Sequence, residues 1–503
     1  MMKEMKVATP EGTKSFPLWS RSSLRLRIVV MICFAVFAQG LMTTDFNMAI
    51  VCMVNHTATV NDSVGVSETE TGGKSCPKDD VSTQTSSSSG NLQWSNKEQS
   101  WIFSSFYVGG LLSVLACAFG LANRFGLSRV IVVGAIVSVV GSFLTPLAAE
   151  HGGVVFTLIV RFIMGSGQGV MLPCAAAMVT RWFPVTERST ACAIYTAGNQ
   201  LSQIAAMFFS AQLCQTTFLN GWPSIFYTFG IVGAVFCILW LFIVSDSPDD
   251  CQSISEEEKI YISNNRTSSP TNPSVPWKAM LTSTVVLSTY SCTFAYAFVW
   301  VALITYLPLY FHTVMKMNLT SNGIMSALPF VAMLISKIVM GLIADLLKKK
   351  TSISVNAITR VSNTFASFAC GACMLGLAFL DCSQRALAVA LFCLGMWSMS
   401  GYIPGHFTSL VSIAPPYSAV VNSLSRTVAQ IASMIAPFIV AAITHKRLAS
   451  EWQIVFILLA AILFVSGLFF LICGSASVEE WAQVKPIKPV AEELRFESLA
   501  SIE

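Results

Sequence analysis

Arg161 stands inside the apolar run VVFTLIVRFIMG, where an unpaired guanidinium is expensive. In lipid such a residue faces a cavity or a partner. Its planar fork matches a carboxylate or a phosphate bidentately. The competing reading is a structural arginine that only holds helices together. Asp45, Lys337, Arg426 and His406 are further ionisable residues within long apolar runs. Lys337 and Arg426 either form an inner anion way-station or snorkel and bond a carbonyl. His406 is either a polar group on a working helix or a structural histidine. GxSxG, GxxxxGK[ST] and HExxH are absent from the sequence, so an enzyme or an ATP-driven pump is not expected. The 15 cysteines form no CxxC…CxxC pair and no Cys/His cluster, so no metal site and no cofactor are expected. Cys370 and Cys373 read as packing residues. Cys76, Cys214 and Cys382 fall in or near loops of one side, where a disulfide among them is open.

The elements that position these groups follow from composition. Of 503 residues, 54% are hydrophobic and 11% charged, with a net charge of +4. A soluble domain carries about 25% charged residues. The chain is therefore a polytopic membrane protein with no sign of nucleic-acid binding. Runs of about twenty apolar residues predict twelve spans near 28–54, 99–119, 129–149, 153–175, 189–211, 222–244, 284–311, 322–344, 357–379, 386–410, 418–442 and 453–474. The first is too long for a cleaved signal core. Glu150-His151-Gly152 makes a tight hairpin of spans 3 and 4. Gly165, Gly167 and Gly169 let neighbouring helices approach span 4 closely.

Basic residues set the orientation. The leader, Arg124, Arg129, Arg181, Arg188, Lys348–Lys350, Lys485 and Lys488 share one side, predicted cytosolic with both termini. His445-Lys446-Arg447 sits on the opposite side and breaks the rule. The expected domains are a leader, 1–27; a first six-helix bundle, 28–244, with a Ser/Thr-rich non-cytosolic loop, 55–98; a central loop, 245–283; a second bundle, 284–474; and a tail, 475–503. Asn55 and Asn61 head acceptor sequons in the non-cytosolic loop, so glycosylation is expected there. Ser255-x-x-Glu258 is a capping-box pattern that opens a short helix in the central loop. That helix reads as a solvated surface element, with partner docking the minor alternative.

The halves show weak similarity to each other: GLANRFG after span 2 corresponds to GLIADLLKKK after span 8. Twelve spans in parallel repeats, with these loops, resemble the major facilitator superfamily. Closer matches resemble its anion/cation symporter branch, which includes sialin, the vesicular glutamate transporters and the type I phosphate transporters. They are Phe46–Asn55, Gln99–Tyr107, Arg161 to Arg188, Gly221–Tyr227, Pro276-Trp277-Lys278, Leu307-Pro308, Ser326–Pro329 and Ile413-Ala414-Pro415.

The resemblance implies an all-α membrane fold of two six-helix bundles, with a cavity lined by spans 1, 4, 7 and 10. It places the family's anion-binding arginine on Arg161, and Gln168, two turns along, where many relatives carry a proton-coupling glutamate. A glutamine does not titrate near neutral pH, so coupling must lie elsewhere. Asn199, Gln200 and Tyr296 fall on positions near the family's binding site. Thr43 and Tyr296 replace arginines, Ala176 a histidine, Ser412 an aspartate and Pro416 an arginine, which disfavours glutamate as substrate. Asp45 lies about 26 Å along span 1 from Ile28, a depth comparable with Arg161. Facing Arg161, it would be a proton or sodium site; otherwise it is a fixed ion pair or a helix-end carboxylate. Asn123-Arg124, Glu187-Arg188 and Asp345 fall on loops expected to gate the cytosolic side.

The expected function is secondary-active transport of a small organic or inorganic anion by alternating access, coupled to Na+ or H+. The chain is expected to act as a monomer in the plasma membrane or a vesicle or lysosome membrane. A transport-inactive relative serving as sensor or scaffold is the alternative.

Overall fold

The computed structural model describes residues 19, 23–54, 90–118, 120–184, 187–216, 219, 221–251, 254–264, 275–350, 353–445 and 448–483. Asn55, Asn61, Cys76 and most of the leader, the 55–98 loop and the tail lie outside the described residues, as do the side chains of Asn123 and Asp345.

Apolar length dictates the elements. Among the described residues twelve long helices follow one another: α1 (Leu24–Met53), α2 (Asn96–Ala118), α3 (Leu127–His151), α4 (Gly153–Trp182), α5 (Arg188–Leu213), α6 (Pro223–Ile243), α7 (Thr284–Thr313), α8 (Leu319–Lys350), α9 (Val355–Leu377), α10 (Cys382–Ser412), α11 (Pro415–Ile443) and α12 (Ala449–Cys473). Ten are long and apolar enough to cross a membrane; α5 and α9, the other two, have more polar faces. Most boundaries lie within about four residues of the sequence expectation, but α4 runs on to Trp182 and α8 to Lys350. The α3–α4 hairpin closes through Gly153 at φ +63°, a conformation that a side chain would strain.

Two large hydrophobic cores form, with a smaller third cluster around Met280, Tyr290 and Val421. One is built from α1 to α6 and the other mainly from α7 to α12. In the first, α4 is wedged between α2 and α3 by its glycines. A Cβ on Gly165 would sit 1.8 Å from the Phe106 carbonyl oxygen, and one on Gly169 2.4 Å from that of Gly110. On the adjoining face, a Cβ on Gly167 would sit 2.3 Å from the Gly134 oxygen. Close backbone approach of this kind is what small residues provide when lipid supplies no hydrophobic drive between helices.

The two sets of helices meet along α2–α11, α5–α8 and α1–α7. Their mutual hydrogen bonds cluster toward one end. Asn96 Nδ2 donates to the Thr444 carbonyl (2.8 Å), Gln215 Nε2 to Thr320 Oγ1 (2.8 Å) and Ser104 Oγ to the Met434 carbonyl (2.9 Å). We call this the Asn96 end and the opposite one the Arg25 end. Near the Asn96 end a disulfide joins Cys52 to Cys214, tying α1 to the end of α5. Sequence reading put Cys214 among the disulfide candidates but missed Cys52, which lies within an apolar run. Cys382 is also disulfide-bonded. Cys370 and Cys373 are buried free thiols, as packing required.

Candidate functional site

Asp45 and Arg161 meet in the interior of the first helix set. Asp45 is fully buried and Arg161 is 2% exposed. The Arg161 Nη1 lies 3.6 Å from Asp45 Oδ1, close enough for an ion pair but too far for a hydrogen bond. Nη2 donates to the Thr43 carbonyl at 3.4 Å. The guanidinium is packed against the Phe46 and Phe106 rings, each centroid 4.7 Å away, so aromatic faces on α1 and α2 supply part of its stabilisation. Asp45 Oδ1 accepts the Phe46 backbone N–H at 2.6 Å. Among the described residues, Asp45 Oδ2 and Arg161 Nε and Nη1 have no hydrogen-bond partner. Buried polar atoms are rarely left so. The pair is held in place yet keeps spare donors and a spare acceptor, which a bound anion and a bound cation could each use.

The polar face of α5 lies against α1. Gln203 Oε1 accepts the Thr44 hydroxyl at 2.6 Å, and a Cβ on Gly40 would sit 2.0 Å from Ser202 Oγ, so Gly40 is what lets the helices touch. Gln200 is buried with its Oε1 unpartnered, while Asn199 is half-buried. Gln168 is half-buried two turns beyond Arg161.

In the second helix set, α10 is broken. A π-helical turn spans Ile403–Phe407, and Gly405 has φ −81° and ψ −127°. Pro404 removes a backbone donor there, and such interruptions recur at working sites. His406 sits in the break, fully buried. Its Nδ1 lies 3.1 Å from Asn363 Oδ1, and its Nε2 has no partner. Tyr296 packs edge-on against Tyr402 (5.6 Å) and Phe407 (5.5 Å) and is 6.3 Å from the His406 ring. Arg426 on α11 is exposed and lies within electrostatic reach of Tyr195 on α5 and Tyr296 on α7. Lys337 is half-buried on α8 and makes no ion pair among the described residues.

The Arg25 end holds a buried network that sequence reading missed. Glu258, 1% exposed on the linker helix Glu256–Asn264, accepts from Arg25 Nε (2.9 Å), Ser23 Oγ (3.1 Å) and the backbone N–H groups of Leu24 (3.0 Å) and Arg25 (3.2 Å). Arg25 also pairs with Glu187, and its guanidinium lies 4.8 Å from the Tyr261 ring centroid. The linker helix is therefore not a wholly solvated surface element: Glu258 and Ile262 are buried, and its carboxylate caps α1. Ser255 does cap it, accepting from the Glu258 N–H at 3.3 Å. Arg188 instead bonds the Phe183 and Thr180 carbonyls, both at 3.1 Å, and Arg124 is exposed beside the Phe125 ring. Among the predicted gate residues, Glu187 is the one that pairs with Arg25.

Two six-helix sets, a discontinuous helix and a buried ion pair inside the first set fit a polytopic transporter of the alternating-access class. A family model described as Major Facilitator Superfamily matches residues 30–437. The chain is 30% identical to sialin of Ovis aries over 94% of this chain and 95% of that one. It is 28% identical to sodium-dependent phosphate transport protein 3 of Mus musculus over 92% and 96%. Its fold is similar to the crystal structure of a D-xylose–proton symporter, with TM-score 0.65 at 12% identity over 90% and 99%. The chain belongs to the Major Facilitator Superfamily, within its anion/cation symporter branch.

Proposed function

We propose that this protein carries a small anion bearing a carboxylate or phosphate group across a membrane together with a cation, and that Arg161 anchors the anion while Asp45 takes the cation. The observation that carries the reading is the buried Asp45–Arg161 pair with unfilled hydrogen-bonding capacity on both partners. Electrostatics supply the coupling. The pair sums to zero charge. An anion bonded to Arg161 Nε and Nη1 would leave an uncompensated negative charge in a low-dielectric site, which is strongly unfavourable. A proton or a sodium ion on Asp45 Oδ2 restores neutrality, so the two ligands favour one another. By linkage, each raises the other's affinity by the same factor. Gln168 cannot take the proton because it does not titrate.

The remaining candidates fall into place around that centre. Gln200 and Asn199 provide neutral polar contacts on α5, and Tyr296 does so from α7. The basic Arg25 end is read as cytosolic, with both termini there, by the excess of Lys and Arg. The bonds between halves gather at the Asn96 end, which supports reading this conformation as the one open toward the cytosol. Asn123, Arg124, Glu187, Arg188 and Asp345 are read as the loops that close that side in the other state. Asn55 and Asn61 are read as glycosylated on the opposite side.

The test is counterflow in proteoliposomes of the full chain with phosphate, sialic acid, urate, glutamate and nucleotides. Each is run with and without sodium and with an imposed pH gradient. Uptake of an anion that requires sodium or a proton gradient is expected, with phosphate the first probe because the mouse relative is named for it. Absence of counterflow with every anion would overturn the proposal in favour of a sensor or scaffold.

A further inference from the structure

Arg426 has no carboxylate partner and no hydrogen bond among the described residues, although it sits about eight residues inside α11, roughly 12 Å from the helix end. A guanidinium at that depth normally pairs or snorkels. Arg426 is solvent-exposed, yet it lies within electrostatic reach of Tyr195 on α5 and Tyr296 on α7, which belong to different halves of the molecule. The helix that carries it, α11, packs against α2 of the first set and α7 of the second and so borders the boundary between them. Its neighbour Ser425 is tied to α7 through Thr293 at 3.0 Å, which fixes the rotation of α11 against α7. The Tyr296 ring is itself immobilised by Trp300, Tyr402 and Phe407, while its hydroxyl makes no hydrogen bond among the described residues. The Ser425–Thr293 bond sets Arg426 on α11 about one helical turn from the level of Tyr296 on α7, and a guanidinium and a phenol in that register are a donor set for an oxyanion.

We propose that Arg426 and the Tyr296 hydroxyl form a second oxyanion-binding site, on the cavity side of the second helix set, that takes the transported anion when the cavity is open to the Arg25 end. This deepens the anion-transport reading and rests on it. Arg161 belongs to the first half and Arg426 to the second, so an anion passing from one to the other changes halves while it remains paired. A site near the open end is also the place for an anion to be captured or released before the buried pair is engaged. A phosphate or carboxylate of the substrate and the phosphate of a lipid headgroup share the chemistry that this site recognises.

The experiment uses the purified full chain, with inorganic phosphate and sialic acid as probes. Thermal stabilisation by each is read in detergent. Counterflow is read in vesicles of phosphatidylcholine, with and without phosphatidylglycerol, with the concentration varied on the Arg25 side. Arg426→Gln is expected to raise the KM on that side about tenfold and weaken stabilisation to match, as loss of one charged hydrogen-bonding group predicts. Arg426→Lys should recover part of the loss, and Tyr296→Phe should raise the KM several-fold. An unchanged KM in Arg426→Gln overturns the site, as does an effect confined to vesicles containing phosphatidylglycerol, which assigns the guanidinium to a headgroup. Arg161→Gln in the same assay separates the two proposals. If it retains full uptake, the anchor reading fails; if it abolishes uptake while Arg426→Gln is silent, only the second site fails. A wild-type chain neither stabilised nor loaded by either probe overturns both for these anions.

Discussion

Asp45→Asn separates a coupling carboxylate from a fixed structural one. The amide keeps the size of the side chain and can still accept the Phe46 N–H, now 2.6 Å from Oδ1. It removes the negative charge 3.6 Å from Arg161 Nη1. At an effective dielectric of about 20, that attraction is worth about 4–5 kcal/mol before desolvation is counted. Breaking one side of a buried pair costs about 3–5 kcal/mol, because the remaining charge stays buried without a counter-charge. The Phe46 and Phe106 faces offset part of this for Arg161, by about 1–2 kcal/mol. A net loss of about 2–4 kcal/mol in unfolding free energy is therefore expected. Arg161→Gln should show a loss of similar size. The double variant should lose much less than the sum, with a coupling of about 2 kcal/mol or more in the cycle. Transport supplies the second readout. With the carboxylate gone, Arg161 keeps one positive charge, and an incoming anion neutralises it without a cation. Asp45→Asn should therefore still exchange anion against anion, but lose its dependence on sodium or on the pH gradient. Transport with unchanged ion dependence would refute the coupling role, and a coupling energy near zero would refute the pairing itself.

How far the sequence led depended on whether a residue's cost was local or distant. Apolar runs had to become helices because lipid leaves backbone polar groups no other partner, so the spans were legible. Asp45 and Arg161 announced themselves by the expense of charge in such runs, and depth counted along each helix brought them level. Their aromatic walls were not legible. The chain has 34 phenylalanines, and nothing local distinguishes Phe46 and Phe106 from those that face lipid. Glu258 failed for another reason. The capping-box pattern is the same whether the glutamate returns to its own helix or, as here, reaches Arg25 across 233 residues. Cys52 was passed over because a cysteine in an apolar run packs more often than it bonds. The break in α10 had a signal in Pro404-Gly405, since proline removes a donor and glycine accepts the distorted turn.

Two further outcomes follow from packing and from the Arg25 network. Gly165→Ala should destabilise strongly, because its Cβ would meet the Phe106 carbonyl oxygen at 1.8 Å and backbone cannot give way as a side chain can. Forcing α4 from α2 should lower thermal stability by about 3 kcal/mol or more. It should also impair transport, since Arg161 is one turn away on the same helix; a variant as stable and active as wild type would refute the close packing. Glu258→Ala tests whether the linker helix latches the bundle or merely lies beside it. The carboxylate accepts four hydrogen bonds, two from backbone N–H groups at the start of α1, and all become unsatisfied in the variant. Arg25, fully buried, would retain its pair with Glu187. Loss of the buried pair and the cap together predicts about 3–5 kcal/mol of destabilisation. The linker should also become more open to limited proteolysis, because Glu258 and Ile262 are its buried contacts. Glu258→Gln, which keeps shape and acceptor but not charge, should fall between. If the alanine variant leaves both melting and cleavage of the linker unchanged, the carboxylate is not what holds the linker to α1. Contacts such as the Arg25 guanidinium over the Tyr261 ring would then have to hold the linker.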